Sequence, residues 1–151
     1  RALAARVPSM SAMFPLAEGG DGVVIEHPVR SADGEFSGVL STMFMPYDLI
    51  RPIAEDQSNG TPCTFMVIET GGHILYDPDP DEVGKETFGD ALYAQFPEID
   101  RVARHAAANH SGYDTYSFYG TGLDKVVQKE TFWSTVGLHG TEWRVMVIRE
   151  R

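Results

Sequence analysis

Residues 65–90, FMVIETGGHILYDPDPDEVGKETFGD, read as strand, tight turn, strand, acidic loop and helix start. Phe65-Met66-Val67-Ile68 is a short apolar run of β-favouring residues, and His73-Ile74-Leu75-Tyr76 runs back beside it. Gly71-Gly72 between them supplies a turn that tolerates positive φ. Pro78 and Pro80 forbid further strand pairing, and Gly84 ends the loop.

Working outward towards the N-terminus, Val23–Val29 and Glu35–Phe44 flank the loop Ser31-Ala32-Asp33-Gly34. Asp-Gly between two apolar runs predicts a second hairpin. A connecting helix is expected over Tyr47–Glu55, because Leu49, Ile50 and Ile53 have helical spacing. Pro46 suits its start, Pro52 predicts a kink or a restart, and Ser58-Asn59-Gly60 ends it.

Towards the C-terminus, Asp90 is placed to cap a helix through Ala91–Gln95. Pro97 suits the first turn of a further helix, Pro97–Asn109. Leu92, Phe96, Ile99, Ala103 and Ala106 form an apolar stripe at helical spacing. Three strands follow, Tyr113–Tyr119, Glu130–Leu138 and Trp143–Arg149, joined by turns at Gly120–Lys125 and His139-Gly140-Thr141.

Composition bounds the function. The chain has 151 residues, 42 % of them hydrophobic, which suits one ordered domain with a real core. It opens on Arg1 without an initiator methionine and reads as an excised fragment. No run approaches the ~20 apolar residues of a membrane span, and no leader of adequate apolar length is visible. Twelve basic against twenty-two acidic residues give a net charge of −10, which argues against a nucleic-acid partner. The single cysteine, Cys63, excludes an internal disulfide and any Cys-x-x-Cys motif. Cys63 also lies at a strand start, away from the helical motif of flavin-binding light sensors.

Two strands, helices and then three strands is the element order of the PAS fold. Three stretches resemble Cache domains, the extracytoplasmic relatives of that fold. In 65–90, the strand, glycine turn and "ILxxPD…G" strand-loop resemble the opening hairpin, with Glu69-Thr70-Gly71-Gly72 displacing the family's acidic turn residue. In VVIEHPVRSADGEFSGVLSTMF, Pro28-Val29, Asp33-Gly34 and Gly38-Val39-Leu40 stand in the family's order. In the tail, SGYDTYSFYG…KETFWSTVGLHGTEWRVMVI resembles the closing strands, a "GxY" strand, a Lys-bearing strand and a "GxxWxVxV" strand carrying Trp143, Val145 and Val147. Together these cover most of residues 22–150.

The expected fold is α+β, a PAS/Cache-like central antiparallel sheet with helices on one side and an additional N-terminal hairpin. Residues 1–151 are expected to form a single sensor module. Within it, 1–59 carry the N-terminal strands, hairpin and connecting helix, and 60–151 form the PAS-like unit. The alternative, that the first hairpin is the tail of a preceding module, stays open here.

The resemblance implies a small-molecule pocket between the sheet and the helices, taking an amino acid or short carboxylate. Candidate ligand-binding residues are Tyr76, Tyr93, Arg101, Arg104, His105, Tyr116, Phe118 and Trp133. Strand alternation puts Asp114, Tyr116 and Phe118 on one face and Tyr113, Thr115, Ser117 and Tyr119 on the other, without saying which faces the pocket. These aromatics are equally at home as plain core. Arg101, Arg104 and His105 lie three and four apart on one helix. A guanidinium there suits a carboxylate ligand, and suits surface ion pairs with Glu98 or Asp100 just as well.

The acidic loop Asp77, Asp79, Asp81, Glu82 has alternate-residue oxygen ligands, but prolines interrupt it and the calcium loop's glycine and terminal glutamate are missing. The histidines show no zinc spacing. No metal or cofactor is expected. No nucleophile elbow or catalytic triad is signalled, so the chain is not expected to be an enzyme. The resemblance implies the extracytoplasmic sensor part of a histidine kinase or chemotaxis-type receptor. Such a part meets the membrane only through segments absent from this chain, and the resemblance leaves room for a homodimer. The competing expectation is a ligand-free dimerisation or structural module, its interior filled by its own Tyr and Phe side chains.

Overall fold

A computed structural model of the chain describes residues 7–89, 91–120 and 125–151, with the side chain of Leu92 outside the description. The protein is α+β, as expected, and divides into two compact units.

The first unit comprises Arg1–Pro46 with Gly137–Glu142. Its centre is β3 (Asp21–Arg30), paired antiparallel with β4 (Phe36–Phe44) in a register running from Val23↔Phe44 to Arg30↔Phe36. Gly34, at φ +83°, provides the left-handed residue that the Asp-Gly turn needs. Two short strands, β1 (Ser9–Met10) and β2 (Phe14–Pro15), pair with different stretches of β3. Within the same unit the Thr141 hydroxyl donates to the Met10 carbonyl at 2.7 Å.

The second unit comprises Tyr47–Val136 with Trp143–Arg151. Most of the connecting helix, α1 (Pro46–Ser58), belongs to it, and Pro52 sits inside one continuous helix rather than dividing it in two. Tyr47 on α1 stacks on Tyr76, ring centroids 5.7 Å apart, and Ala54 is buried.

The five-stranded sheet runs β6-β5-β9-β8-β7. Its strands are β5 (Cys63–Glu69), β6 (Ile74–Tyr76), β7 (Gly112–Tyr119), β8 (Val126–Leu138) and β9 (Thr141–Glu150). The β5–β6 turn closes with Gly72 N–H donating to the Glu69 carbonyl at 2.9 Å. Gly72 lies at φ +93°, and the Phe88 ring packs so close that a Cβ there would sit 2.8 Å from it. Glycine is required twice over, by conformation and by space. The β8–β9 turn places His139 at φ 51° and Gly140 at φ 84°, the paired positive φ values of a primed two-residue hairpin turn.

The expected helix over Ala91–Gln95 is a single 3₁₀ turn, Ala91–Tyr93. Its proposed cap, Asp90, lies outside the described residues. Four residues on, Pro97 opens α2 (Pro97–Ala108) at its first turn. The α2 stripe buries Val102, Ala103 and Ala106 against Ile68, Tyr116, Trp133, Met146 and Ile148. Arg144, itself buried, donates to the Ala106 and Ala107 carbonyls at 2.8 and 3.0 Å, satisfying the open C-terminal end of α2. The Trp133 indole N–H donates to the Asn109 carbonyl at 3.0 Å. Its ring lies directly over Gly112, where a Cβ would clash with it.

Candidate functional site

Strand alternation builds the site. On β5 the helix-facing residues are Thr64, Met66 and Ile68, and their partners across β9 are Ile148, Met146 and Arg144. On β7 and β8, Tyr116 pairs with Lys129 on the same face. Tyr116 and Phe118 therefore look towards α2, which resolves the face that strand alternation left open. Between this face and α2 lies a cavity of about 270 Å³. Met66, Ile68, Met146 and Ile148 line it from the sheet, Ile99, Val102 and Ala103 from α2, and Tyr93, Phe118 and Tyr119 add aromatic wall.

The polar groups of the lining are few and come from two sides, as ligand cavities require. From the loop after β6 come Asp77, Asp79, Glu82 and Thr87, and from β8 comes Lys129. The loop holds its shape by successive side-chain turns. The Asp77 carboxylate accepts the Asp79 N–H at 2.9 Å, and the Asp79 carboxylate accepts the Asp81 N–H at 3.0 Å. Glu82 is fully engaged, one oxygen by the Lys85 ammonium at 3.0 Å and the other by the Tyr93 hydroxyl. The Thr87 hydroxyl donates to the Gly72 carbonyl at 2.9 Å, tying the loop to the β5–β6 turn.

Lys129 is the unusual member. It is only 9 % exposed, and among the described residues no side chain or backbone group makes a hydrogen bond or ion pair with its ammonium. Its ammonium lies over the face of Phe118, 5.8 Å from the ring centroid. Burial pushes its pKa down, while Glu150 and Asp77 act in the opposite sense. Asp77 is half-buried, and burial raises its carboxyl to about 6. The Asp79 N–H lowers it, Glu82 and Asp79 add to the rise, and Lys129 opposes it. Burial and the Asp77 charge also push the Tyr116 hydroxyl up.

Three of the eight candidate residues, Tyr93, Tyr116 and Phe118, line the cavity. The other five lie outside its lining. Tyr76 is buried in its stack with Tyr47. Arg101 grips Asp114 with 2.6 and 2.7 Å bonds and donates to the Thr115 carbonyl at 2.7 Å. Arg104 bonds Asp100 at 2.8 Å and covers the Phe88 ring. His105 lies 3.0 Å from Asp114 and edge-on to Trp133, and Trp133 is core. The helix cations thus find protein carboxylates, the surface ion-pair alternative.

Lys129 and Asp77 were the residues that sequence reasoning missed. Lys129 carried a readable signal. Val127, Lys129, Thr131 and Trp133 alternate onto the buried face of β8, and lysine is rarely buried without a partner.

Comparison with known proteins gives a consistent picture. The HK/GC/chemotaxis protein-like sensor domain family matches residues 1–46. No curated protein matches the chain. An extracellular ligand-binding receptor from Desulfohalobium retbaense is 26 % identical, with a TM-score of 0.72 over 99 % of this chain and 23 % of its own. The ligand-binding domain of the Pseudomonas aeruginosa amino-acid chemoreceptor PctB, in complex with L-Arg, is 19 % identical, with a TM-score of 0.66 over 99 % of this chain and 57 % of its own. The ligand-binding domain of the Pseudomonas fluorescens chemoreceptor CtaA, in complex with L-serine, is 16 % identical, with a TM-score of 0.62 over 95 % of this chain and 55 % of its own. The chain spans less than two thirds of each of these structures. Among the described residues no helix is long and apolar enough to cross a membrane. The N-terminal third matches the model of a sensor-domain family, and nearly the whole chain is similar in fold to chemoreceptor ligand-binding domains.

Proposed function

We propose that residues 1–151 serve as one extracytoplasmic sensor module of a membrane signalling receptor, and that the cavity of the second unit binds a small carboxylate or amino acid. The observation that carries this reading is Lys129, a side chain 9 % exposed that lines the cavity with no hydrogen bond or ion pair to its ammonium among the described residues. A buried charge without a partner is costly, and a ligand carboxylate there removes that cost. The cavity has room for about nine water-sized groups at roughly 30 Å³ each, the scale of a small amino acid or short organic acid. An open cavity also speaks against the ligand-free alternative, whose own aromatics would fill the space.

Two of the structural neighbours were solved with amino acids bound. Their likeness to this chain is in fold, so the choice of ligand here rests on Lys129 and the cavity. Binding transmits a signal only as far as the ligand prefers one of two arrangements of the module.

A thermal-shift screen against amino acids, short carboxylates, purines and polyamines tests the reading. A ligand at 100-fold excess over its Kd adds about 2.7 kcal/mol of stability, which appears as a higher Tm. Stabilisation by carboxylate-bearing compounds supports the proposal. Stabilisation by purines or polyamines alone, or by nothing in the screen, contradicts it.

A further inference from the structure

In the second unit both edge strands of the sheet are covered. On β7, Glu98 of α2 accepts the Ser117 N–H at 2.6 Å and Arg101 donates to the Thr115 carbonyl at 2.7 Å. On β6, the Ile74 N–H donates to the Lys85 carbonyl and the Gly84 N–H to the Ile74 carbonyl, both at 2.9 Å. Covering an edge keeps it from pairing with another chain. In the first unit β3 bonds β4 along one side, and among the described residues no strand pairs with its other side. The register slips near Arg30, so residues 38–44, GVLSTMF, form the regular part of β4. This stretch has no charge and no proline, the composition of a strand that readily takes a partner. Leu40 and Met43, on opposite faces, are 64 % and 55 % exposed.

Neighbouring bonds fix which backbone groups of β4 point outward. Val24 on β3 donates its N–H to the Ser11 hydroxyl and accepts the Ser11 N–H at its carbonyl, both at 2.9 Å. Those groups point away from β4, so Val24 and its partner Met43 are a non-hydrogen-bonded pair. By alternation Val39, Ser41 and Met43 turn their N–H and C=O groups outward, while Leu40 and Thr42 turn theirs to β3. We propose that this edge is a self-association surface, on which two copies of the chain join β4 to β4, antiparallel, about a two-fold axis at Ser41. In that register Ser41 faces Ser41, and each Val39 faces Met43 of the second copy, so every outward group of the three residues is bonded. Leu40 meets Thr42 of the second copy on the other face. A second copy fits because a two-fold axis pairs a strand antiparallel with itself and needs no other sequence. The net charge of −10 opposes association, yet the seam itself is neutral. Glu26, the acid level with the axis, sits one strand back opposite Ser41. The two copies of Glu26 are therefore three strand spacings apart, about 14 Å, beyond the ~10 Å screening length at 0.1 M salt. A seam of one strand is smaller than a standard interface, so the dimer is weak and concentration-dependent. It belongs to the first unit and does not depend on the reading of the cavity.

The test is sedimentation velocity of the full chain between about 5 and 500 µM, spanning the Kd of a weak interface. Wild type is expected to pass from monomer to dimer over that range. Ser41→Pro removes the outward N–H at the axis and leaves the β3 ladder intact, and Ser41→Lys sets two like charges face to face. Each is expected to weaken the dimer about tenfold or more. Mixing Ser41→Lys with Ser41→Asp is expected to restore it, because opposite charges then meet across the axis. The melting transition of each variant checks that it is folded, and if Ser41→Pro is not, the Lys and Asp variants decide. A wild type that stays monomeric throughout, a folded Ser41→Lys that dimerises as tightly as wild type, or a mixture no tighter than Ser41→Lys alone overturns the proposal.

Discussion

Asp77→Asn should stabilise the unliganded domain at neutral pH, and the gain should shrink as the pH falls. The Asp77 carboxyl is raised from 3.8 to about 6, first by burial and then by Glu82 and Asp79. Between those two values the folded state binds a proton that the unfolded state does not. Stability from this group is therefore fully present below pH 3.8 and is lost as the pH rises through 6. A rise of about two pKa units at 1.36 kcal/mol each sets an upper value of about 3 kcal/mol, and partial exposure brings the expectation to roughly 1–3 kcal/mol. Asparagine never ionises, so it escapes this cost while retaining an oxygen for the Asp79 N–H. The assay is urea unfolding of both proteins at pH 4, 5, 6 and 7.5, reading the difference at each pH so that all other groups cancel. A difference in favour of asparagine that grows by roughly 1–3 kcal/mol from pH 4 to 7.5 is the expected result. A constant difference, or a variant less stable than wild type at pH 7.5, would refute the reasoning.

Two other sites give independent checks. Asp114 has the opposite sign: burial raises its pKa, but hydrogen bonds from Arg101, His105 and the Thr115 N–H bring it to about 2, so its contribution is present above pH 3.8 and lost as the pH falls through about 2. Asp114→Asn is expected to cost about 1–2 kcal/mol at pH 7, discounted for the half-exposed Arg101, with the difference gone below pH 2 in the same unfolding assay. Gly112→Ala drives a methyl into the Trp133 ring and is expected to cost about 1–3 kcal/mol by overpacking, with a shifted Trp fluorescence spectrum; an unchanged spectrum and Tm would contradict the packing described.

Much of the fold was legible because local signals agreed with one another. Asp33-Gly34 and Gly71-Gly72 marked their turns, and the apolar runs beside them became β3–β4 and β5–β6. Pro97 marked the start of α2 to the residue. Pro52 does not restart α1, because a proline inside a helix removes one backbone donor yet does not oblige the chain to stop. The segment after Asp90 read as a helix, but with Pro97 so near it closes as one 3₁₀ turn.

The site was less legible because its residues are distant in sequence and meet only when β8, the loop after β6 and α2 are packed. Arg101, Arg104 and His105 looked like anion receptors on helical spacing alone. Spacing carries no information about Asp114 and Asp100, the carboxylates that satisfy them. Lys129 stands out only in the packed cavity, where it is a lining cation without such a carboxylate contact among the described residues.

The central claim is that the Lys129 ammonium holds a ligand carboxylate. Calorimetric titration of wild type and Lys129→Met with the most stabilising carboxylate-bearing compound of the screen tests it most directly. Loss of a charged, buried hydrogen bond of about 1.5–3 kcal/mol predicts 10- to 100-fold weaker binding. The unliganded variant should melt no lower than wild type, because methionine fills the site without burying a charge. Equal affinity in the two proteins, with both fully folded, would contradict the account.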